Sequence, residues 1–571
     1  MKLQHALLAT AAACVPFSAL ADGHEGERGR DGQVNIIYWQ APSTLNPFLS
    51  GGTKDVESAS LVIEPLARFD ETGTIQPWLV EEIPTVENGG ITEDLTQITW
   101  KITPGLVWSD GTPFTSADVK FTYEYCTHPE GGCAQITKFE PVESVETPDD
   151  LTVVVNFKEP TPYPYTAFVG GESPIIQKAQ FEQCIGAAAS TCTEQNFGPI
   201  GTGPFVVTEF RTNDVIAYEA NPNYREEGKP AFASVNFKGG GDAEAAGRAV
   251  MQTGEFDYAW NLQLAPEVIS QMEAGGQGTP VAGFGPLVER IMLNNTNPDP
   301  SLPPEERSVV KPHPFLGDPA VYNAMSMAID RPLLVEIGYG QAGKVSCNWV
   351  PAPEAFSSTS MTCDTQDLEG AKAMLEEAGY VDTDGDGVRE TPDGVPMTVL
   401  YQTSTNAVRQ DFQALIKEWW EEIGIGTELR NINASVFFGG DAGSPDTFQK
   451  FYADVEMYAN TFNGTDPQAY LANGLCDKAP QPSTQWQGEN ISRFCMEEYD
   501  ALWNELSKTA DLSERQRIAK ELNDMFVQNG GMIPLVHRGR LSAHANDLGG
   551  IKLNVWDSEL WNIADWYRTG E

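Results

Sequence analysis

Between Gly105 and Tyr123 the chain reads Gly-Leu-Val-Trp-Ser-Asp-Gly-Thr-Pro-Phe-Thr-Ser-Ala-Asp-Val-Lys-Phe-Thr-Tyr, and this stretch leaves the backbone little choice. Asp110-Gly111 is a tight-turn dipeptide, and Pro113 stiffens the exit. Thr115 reads as a helix N-cap. Asp118, three residues on, resembles the acidic partner of a capping box and puts negative charge at the positive end of the helix dipole. Val119, Phe121 and Thr122 open the helix. The spacing predicts strand, turn and capped helix, with Trp108 beside the turn. It contains no nucleophile and no metal cluster, so the residues alone make it a structural corner.

The phrase Trp108-Ser109-Asp110-Gly111-x-Pro113-Phe114-Thr115-x-x-Asp118-Val119 resembles the signature of the family 5 solute-binding proteins of ABC importers. That family includes dipeptide-, oligopeptide-, nickel- and some oligosaccharide-binding members. Further phrases follow in the same order: Thr44-Leu45-Asn46-Pro47, Glu64-Pro65-Leu66, Gly201-Thr202-Gly203-Pro204-Phe205, Asn221-Pro222-Asn223-Tyr224, Gly254-Glu255-Phe256-Asp257, Ala328-Ile329-Asp330-Arg331 and Ile533-Pro534-Leu535. The resemblance spans roughly residues 33 to 571. It implies an α/β bilobal clamp of the large class, with an extra subdomain in the first lobe. The implied layout is a first lobe over 33–287 with the inserted subdomain at about 79–195, a second lobe over 288–532, and a return to the first lobe over 533–571. It further implies a periplasmic binding component that captures a solute by hinge closure and delivers it to a membrane permease. Peptide is the first solute expected and oligosaccharide the second. A secreted hydrolase, or a sensor or chaperone on the same clamp, is the rival from another class.

Size and charge agree with an exported binder. At 571 residues the chain exceeds one ordinary core. Its formal charge of −45 argues against nucleic acid, which needs clustered Lys and Arg. Met1 to Ala21 has the layout of a secretory signal: Lys2, an apolar run from Ala6 to Leu20, and Ala19-Leu20-Ala21 before Asp22. A second reading ends a lipoprotein signal at Cys14, although the apolar run continues past it. No later stretch reaches the roughly 18 apolar residues of a membrane span. Asp22 to Gly32 is charged and Gly-rich and predicts a flexible leader. The mature chain has eight cysteines, an even number in an exported protein, which suggests disulfides. Closeness in sequence favours Cys126 with Cys133, Cys184 with Cys192, Cys347 with Cys363, and Cys476 with Cys495.

Periodicity supplies the coarse elements. Val34 to Trp39, Leu95 to Ile102, Leu151 to Phe157 and Met397 to Tyr401 read as strands. Asp318-Pro319 caps a helix with Val321, Ala324, Met325 and Ala328 on one face. Asp367 caps another, stopped by Gly379. A helix from about Ala407 to Ile423 is expected to bury Val408, Phe412, Leu415, Trp419 and Ile423. With the strands on either side it forms a βαβ unit, right-handed by default.

The chemistry-bearing motifs are few. There is no Gly-x-Ser-x-Gly elbow and no His-Glu-x-x-His, and the chain has six histidines, two of them at its start. The Gly201 loop lacks a following Lys-Ser/Thr, and Pro204 removes an amide donor, so it reads as a turn rather than a phosphate cradle. Asp382, Asp384, Asp386, Val388 and Asp393 have the spacing of an EF-hand loop, with Asp where the bidentate Glu usually stands. The two readings are a structural calcium site and a polar turn; no other cofactor is expected. Aromatic faces with a few polar anchors line solute clefts. Candidates at strand ends are Tyr38, Trp39, Gln40, Tyr258, Trp260 and Asn261 from the first lobe. From the second come Tyr401, Gln402, Phe437, Phe438, Tyr458, Asn460 and Asn463. In peptide-binding members an Asp in the loop before Asp-Pro pairs with the peptide amine. Here Asn463, three residues before Asp466, stands at that place without charge, which counts against free-amine dipeptide recognition and leaves room for a neutral ligand such as a sugar or a blocked or cyclic peptide. The expected partners are a small solute and an ABC permease in the inner membrane, and a monomer is expected.

Overall fold

The computed structural model describes residues 26–570. The expected signal at 1–21, its alternative end at Cys14 and the first part of the leader lie outside the described residues. Residues 26–32 are not a loose leader, however. The Arg28 guanidinium donates to the carbonyls of Asn221, Pro222 and Tyr224 at 2.6–2.8 Å, and Arg30 bridges to Phe232. An uncapped row of carbonyls around 221–226 holds this segment to the first lobe.

Two large sheets carry the architecture. The first has seven strands, in the order Gly278–Gly283, Arg540–Ala545, Tyr258–Trp260, Gln33–Tyr38, Ser234–Gly239, Val215–Ala220 and Phe205–Arg211. Its centre is parallel: Tyr38 pairs with Trp260 on one side and Gly239 on the other. The second has six strands, in the order Gly343–Val345, Met532–Arg538, Val288–Leu293, Val455–Asn460, Thr398–Ser404 and Gly426–Ile432. The chain enters it between Gly283 and Val288. The return was expected at 533, but Met532–Arg538 still pairs with Val288–Met292, so the chain crosses back at Gly539. The reason is burial: Ile533, Leu535 and Val536 are needed in the core of the second sheet.

The βαβ unit forms as expected. Thr398–Ser404 and Gly426–Ile432 are parallel along their length, joined by the helix Ala407–Glu422, which Asn406 caps through the Arg409 amide at 3.1 Å. Its buried stripe differs from the expected one by one residue. Val408, Phe412, Ile416 and Trp420 are buried, while Leu415 and Trp419 only pack partly against the core. Trp420 Nε1 donates to the Met325 carbonyl at 3.0 Å, which turns the i, i+4 line through Trp420 inward.

A third sheet, Gln97–Lys101, Thr152–Phe157 and Val142–Asp149, has its own core with the corner stretch. There the helix is Ser116–Thr127. Thr112 donates its amide and hydroxyl to Asp110 Oδ1 at 2.9 and 2.6 Å, and Gly111 takes the left-handed φ of +83° that the turn requires. Asp118 receives the amides of Thr115 and Lys178, both at 3.0 Å. The Gly201 loop is a turn pressed on a neighbouring strand entry: a Cβ at Gly201 would lie 1.8 Å from the Val62 carbonyl oxygen. All four expected disulfides form, with Cα–Cα separations of 5.1, 5.7, 5.7 and 4.5 Å. Among the described residues no helix is long and apolar enough to cross a membrane.

Candidate ligand-binding cleft

The carboxyl ends of the parallel strands in the first sheet face the ends of Val455–Asn460 and Met532–Arg538 in the second. Crevices at such ends are where open α/β sheets bind ligands. A chamber of about 60 Å³ lies there. The first lobe contributes Gln40, Gly51, Gly52, Thr53, Trp260 and Asn261; the second contributes Phe438, Phe448, Tyr458, Asn460 and Thr461. Asn261 holds a φ of +53°, a conformation Asn tolerates better than most residues. Its carbonyl accepts Trp39 Nε1 at 2.8 Å. That turn lifts its side chain off the end of the strand toward the chamber.

Charge gathers where the chain crosses between sheets. Arg409, Arg538, Arg540 and Glu559 line this end of the chamber. Glu289, fully buried behind them, accepts Arg409 Nε at 2.8 Å and the Tyr339 hydroxyl at 2.9 Å. Burial pulls its pKa up, but the Arg409 and Arg538 guanidiniums outweigh that and hold it below the usual carboxylate range. Arg540 sits between Glu57 at 3.4 Å and Glu559 at 3.9 Å. Burial, against the pull of Arg540, pushes Glu57 up to about 7, as two acids share one guanidinium.

A second compartment of about 40 Å³ continues from the first past Asn460 and Thr461. Its walls include Lys138, Glu172, Asn463, Asp466, Asn473 and Glu489. Lys138 pairs with Glu172 at 2.6 Å and Asp466 with Arg515 at 2.7 Å. Glu489 receives the Thr137 hydroxyl at 2.8 Å. Desolvation raises it to about 7, with Glu172 adding to the rise and Lys138 and the Thr137 hydrogen bond opposing it. Asn463 Nδ2, Thr461 Oγ1 and Asn473 Oδ1 are buried without a hydrogen-bond partner. A larger hollow of about 540 Å³ lies outside Leu49 and Gly439–Gly440, lined by Ser, Thr, Asn and Gly from both lobes.

Of the expected residues, Gln40, Trp260, Asn261, Phe438, Tyr458 and Asn460 meet at the first compartment, and Asn460 and Asn463 at the second. The other six do not line either compartment. Tyr38 stacks on Trp260 with centroids 4.6 Å apart, in the core of the first sheet. Tyr258 donates to Glu559 at 2.6 Å. Trp39 and Phe437 are in the interlobe core cluster. Tyr401 packs on Trp420 at 5.4 Å, and Gln402 donates to Glu456 at 2.8 Å. Position along the element explains much of the outcome: Trp260 ends its strand and Tyr258, on the same face, begins it, while Tyr401 and Gln402 lie mid-strand. The charged residues Glu289, Arg409, Arg538, Arg540, Glu489 and Lys138 escaped the sequence reading. A signal existed in Glu289-Arg290 inside the otherwise apolar Val288–Leu293, and in the two arginines flanking Gly539.

The Asp382 loop gathers Asp382, Asp384, Asp386 and Glu390 within 4.8 Å of one another; Asp393 is not in that group. Asp393 instead falls in a turn closed by the Gly394 amide on the Thr391 carbonyl at 2.8 Å. Asp382 accepts the Gly385 and Gly387 amides at 2.6 and 3.0 Å, so the loop supplies partners for its own acids.

The description "Bacterial extracellular solute-binding proteins, family 5 Middle" matches residues 74–480. The glutathione-binding protein GsiB of Escherichia coli (strain K12) is 23% identical over 509 residues, 89% of each chain. The fold is similar to that of the oligopeptide-binding protein AppA from Bacillus subtilis, solved with a nonapeptide: TM-score 0.81 at 20% identity, covering 95% of this chain and 100% of that one. It is also similar to NikZ from Campylobacter jejuni, solved with Ni(L-His): TM-score 0.78 at 20% identity, covering 94% and 99%. A family match over most of the chain, set on a bilobal α/β clamp with a chamber between its lobes, identifies the protein as a member of the family 5 bacterial extracellular solute-binding proteins.

Proposed function

We propose that this chain is the periplasmic substrate-binding component of an ABC importer, and that it encloses a peptide-like solute by hinge closure and presents it to the permease. The observation that carries the reading is the interlobe chamber, walled by aromatic rings and polar groups from both lobes, with buried polar atoms left without partners. Such atoms are costly unless a ligand or water meets them. The two compartments of about 60 and 40 Å³ are smaller than the several hundred Å³ typical of ligand sites. A solute of peptide size therefore enters with the lobes apart, and its contacts to both lobes favour the closed state.

The solute class draws support from relatives named for glutathione and oligopeptide. The second compartment supports it too. Asn463 has no charge to offer an amine, but Glu489 lies in the same compartment with one lysine shared between two acids. The four disulfides suit an oxidising compartment. A sugar is the second reading, favoured by the ring faces of Trp260, Phe438 and Tyr458. We read no catalytic role: among the described residues neither compartment is lined by Ser, Cys or His.

The test is a thermal shift on mature protein stripped of ligand by unfolding and refolding with its disulfides intact. A ligand at about 1,000 times its dissociation constant adds roughly 4 kcal/mol. Peptides are expected to shift the melting point; a shift with oligosaccharides alone would overturn the peptide reading, and turnover of either would overturn the reading as a binder. Co-purification with a permease separates an importer component from a sensor or chaperone.

A further inference from the structure

We propose that the second lobe carries a binding site of its own, a methionine-walled cavity apart from the interlobe cleft, in which Arg331 holds the head of a small amphiphilic monocarboxylate such as a medium-chain fatty acid. The cavity measures about 310 Å³, at the lower end of the range for small-ligand sites. It lies between the helices Pro319–Met327, Leu368–Glu377 and Leu512–Gln528 and the strand Met532–Arg538. None of its lining residues is shared with either compartment of the cleft.

The charge in this cavity has no counterpart. The chain has 81 acidic residues, yet none of them lines it, and its charged group is Arg331, which is 1% exposed. Every hydrogen bond of the guanidinium goes to a neutral oxygen. Nε donates to the Pro534 carbonyl at 2.8 Å, Nη1 to the Ser326 and Cys363 carbonyls at 3.1 and 3.3 Å, and Nη2 to the Ser326 hydroxyl at 2.8 Å. A guanidinium has five N–H groups, so at least one on Nη2 is spare. Asp330, its neighbour in the chain, is engaged in capping the helix Arg331–Gly338 through the Leu333 amide at 3.0 Å. Burial lowers the Arg331 pKa to about 10, and no acid opposes that pull. The cation also sits at the positive end of its helix, where the dipole adds to the imbalance. Hydrogen bonding is therefore largely met and charge is not. A buried cation without an anion is costly, and a carboxylate would supply the missing charge in a charge-assisted hydrogen bond.

The walls ask for the opposite chemistry. Met327, Met361, Met374 and Met532 line the cavity with the Cys347–Cys363 bridge. Four of the 13 methionines of the chain thus gather at one place, and thioether side chains adapt to irregular apolar bodies. Met532 is buried beside Arg331 at the inner end. Met327, Met361 and Met374 are only partly covered, and the remaining lining residues include the exposed Thr362 and Gln528. An apolar path therefore leads from solvent to one buried cation. An acid would lay its chain along the thioethers and its head at Arg331. The site is expected to take an acid over an alcohol or an amine of the same length.

The experiment uses mature protein with isotopically methyl-labelled methionine and three probes of one chain length: sodium octanoate, 1-octanol and octylammonium chloride, below micelle-forming concentrations and at matched ionic strength. Octanoate is expected to shift the methyl resonances of Met327, Met361, Met374 and Met532 with a Kd below about 1 mM, and the alcohol and amine to bind about tenfold more weakly or less. Arg331→Gln is expected to erase the advantage of the acid over the alcohol, and Met374→Trp, which fills the cavity, to abolish binding of both. Equal binding of acid and alcohol by wild type overturns the proposal and needs no variant to fold. An acid advantage that survives Arg331→Gln overturns it too, as does silence of all four methyls. Shifts confined to Met292, in the interlobe core cluster, would place the acid in the solute cleft and overturn the separate site. The peptide reading of the cleft stands or falls independently of these outcomes.

Discussion

Asp118 in the first turn of the corner helix and Glu289 at the hinge are both buried carboxylates, held by opposite means. Asp118 takes backbone amides from Thr115, three residues away, and from Lys178, with Trp108 Nε1 at 3.4 Å. Desolvation outweighs these neutral donors, and its pKa is raised. Glu289 takes guanidinium donors from Arg409 and Arg538, far along the chain. There the opposing charge outweighs desolvation, and its pKa is lowered. Local amides position an acid without neutralising its burial; distant arginines neutralise it, here between three elements of the second lobe beside the crossing.

The largest test of that contrast is Glu289→Gln. It leaves Arg409 and Arg538 buried without a carboxylate, and is expected to cost about 3–5 kcal/mol of unfolding free energy by urea titration. A loss below about 1 kcal/mol would mean that the arginines escape to water, and the contrast would fail. Next comes replacement of Cys476 and Cys495 by Ser. The bridge closes a sequence separation of 19 residues that carries Glu489 to the chamber, so about 3 kcal/mol is expected to be lost. Retention of stability but loss of solute binding would place the role of that bridge in the site rather than in the fold.

The third prediction uses pH. Glu489 is raised to about 7, so the folded chain holds its proton more tightly than the unfolded chain does. That term stabilises the fold at pH 5 and fades as pH rises through 7, worth about 2 kcal/mol. The melting point is expected to fall from pH 5 to pH 8, and Glu489→Gln to flatten the slope. Glu289 works with the opposite sign: its contribution stands at neutral pH and is lost only as pH falls through its lowered value. An unchanged slope in Glu489→Gln would assign the effect to Glu57, which is also raised to about 7.

At the corner, Asp118→Ala is expected to cost about 1.5 kcal/mol, since it leaves buried amides unmatched. A cost equal to that of Glu289→Gln would erase the difference between local and distant partners. The smallest effect is expected at the Asp382 loop. Calcium held by Asp382, Asp384, Asp386 and Glu390 would add about 1.4 kcal/mol at ten times its dissociation constant, read as a melting shift lost in Asp386→Asn. No shift returns the loop to a turn satisfied by its own amides.

Local features were legible in the sequence because they close over a few residues. The corner, the caps at Asp318 and Asp367, the short disulfide loops and the βαβ unit all depend on neighbours in the chain. The cleft was half legible. Strand ends could be found from their phrases, so Gln40, Trp260, Asn261, Phe438, Tyr458, Asn460 and Asn463 were named. Which residue faces the cleft depends on its place along the element as well as its face: Tyr38 packs in the sheet core, Tyr401 lies mid-strand, and Phe437 ends a short helix rather than a strand. The EF-hand spacing suggested Asp393, but a turn at 391–394 took it away and Glu390 came in instead.

The sequence by itself determined the capped corner, the cysteine pairs and the family, since each is written in short runs of residues whose physics is local. Only the tertiary structure decided that Glu289, Arg409 and Arg538 meet at the crossing, that Glu489 joins Asn463 in one compartment, and that the chain returns at Gly539. Those outcomes follow from sheet register and long-range packing, where burial makes distant charges seek one another and no spacing rule along the chain foretells the partner.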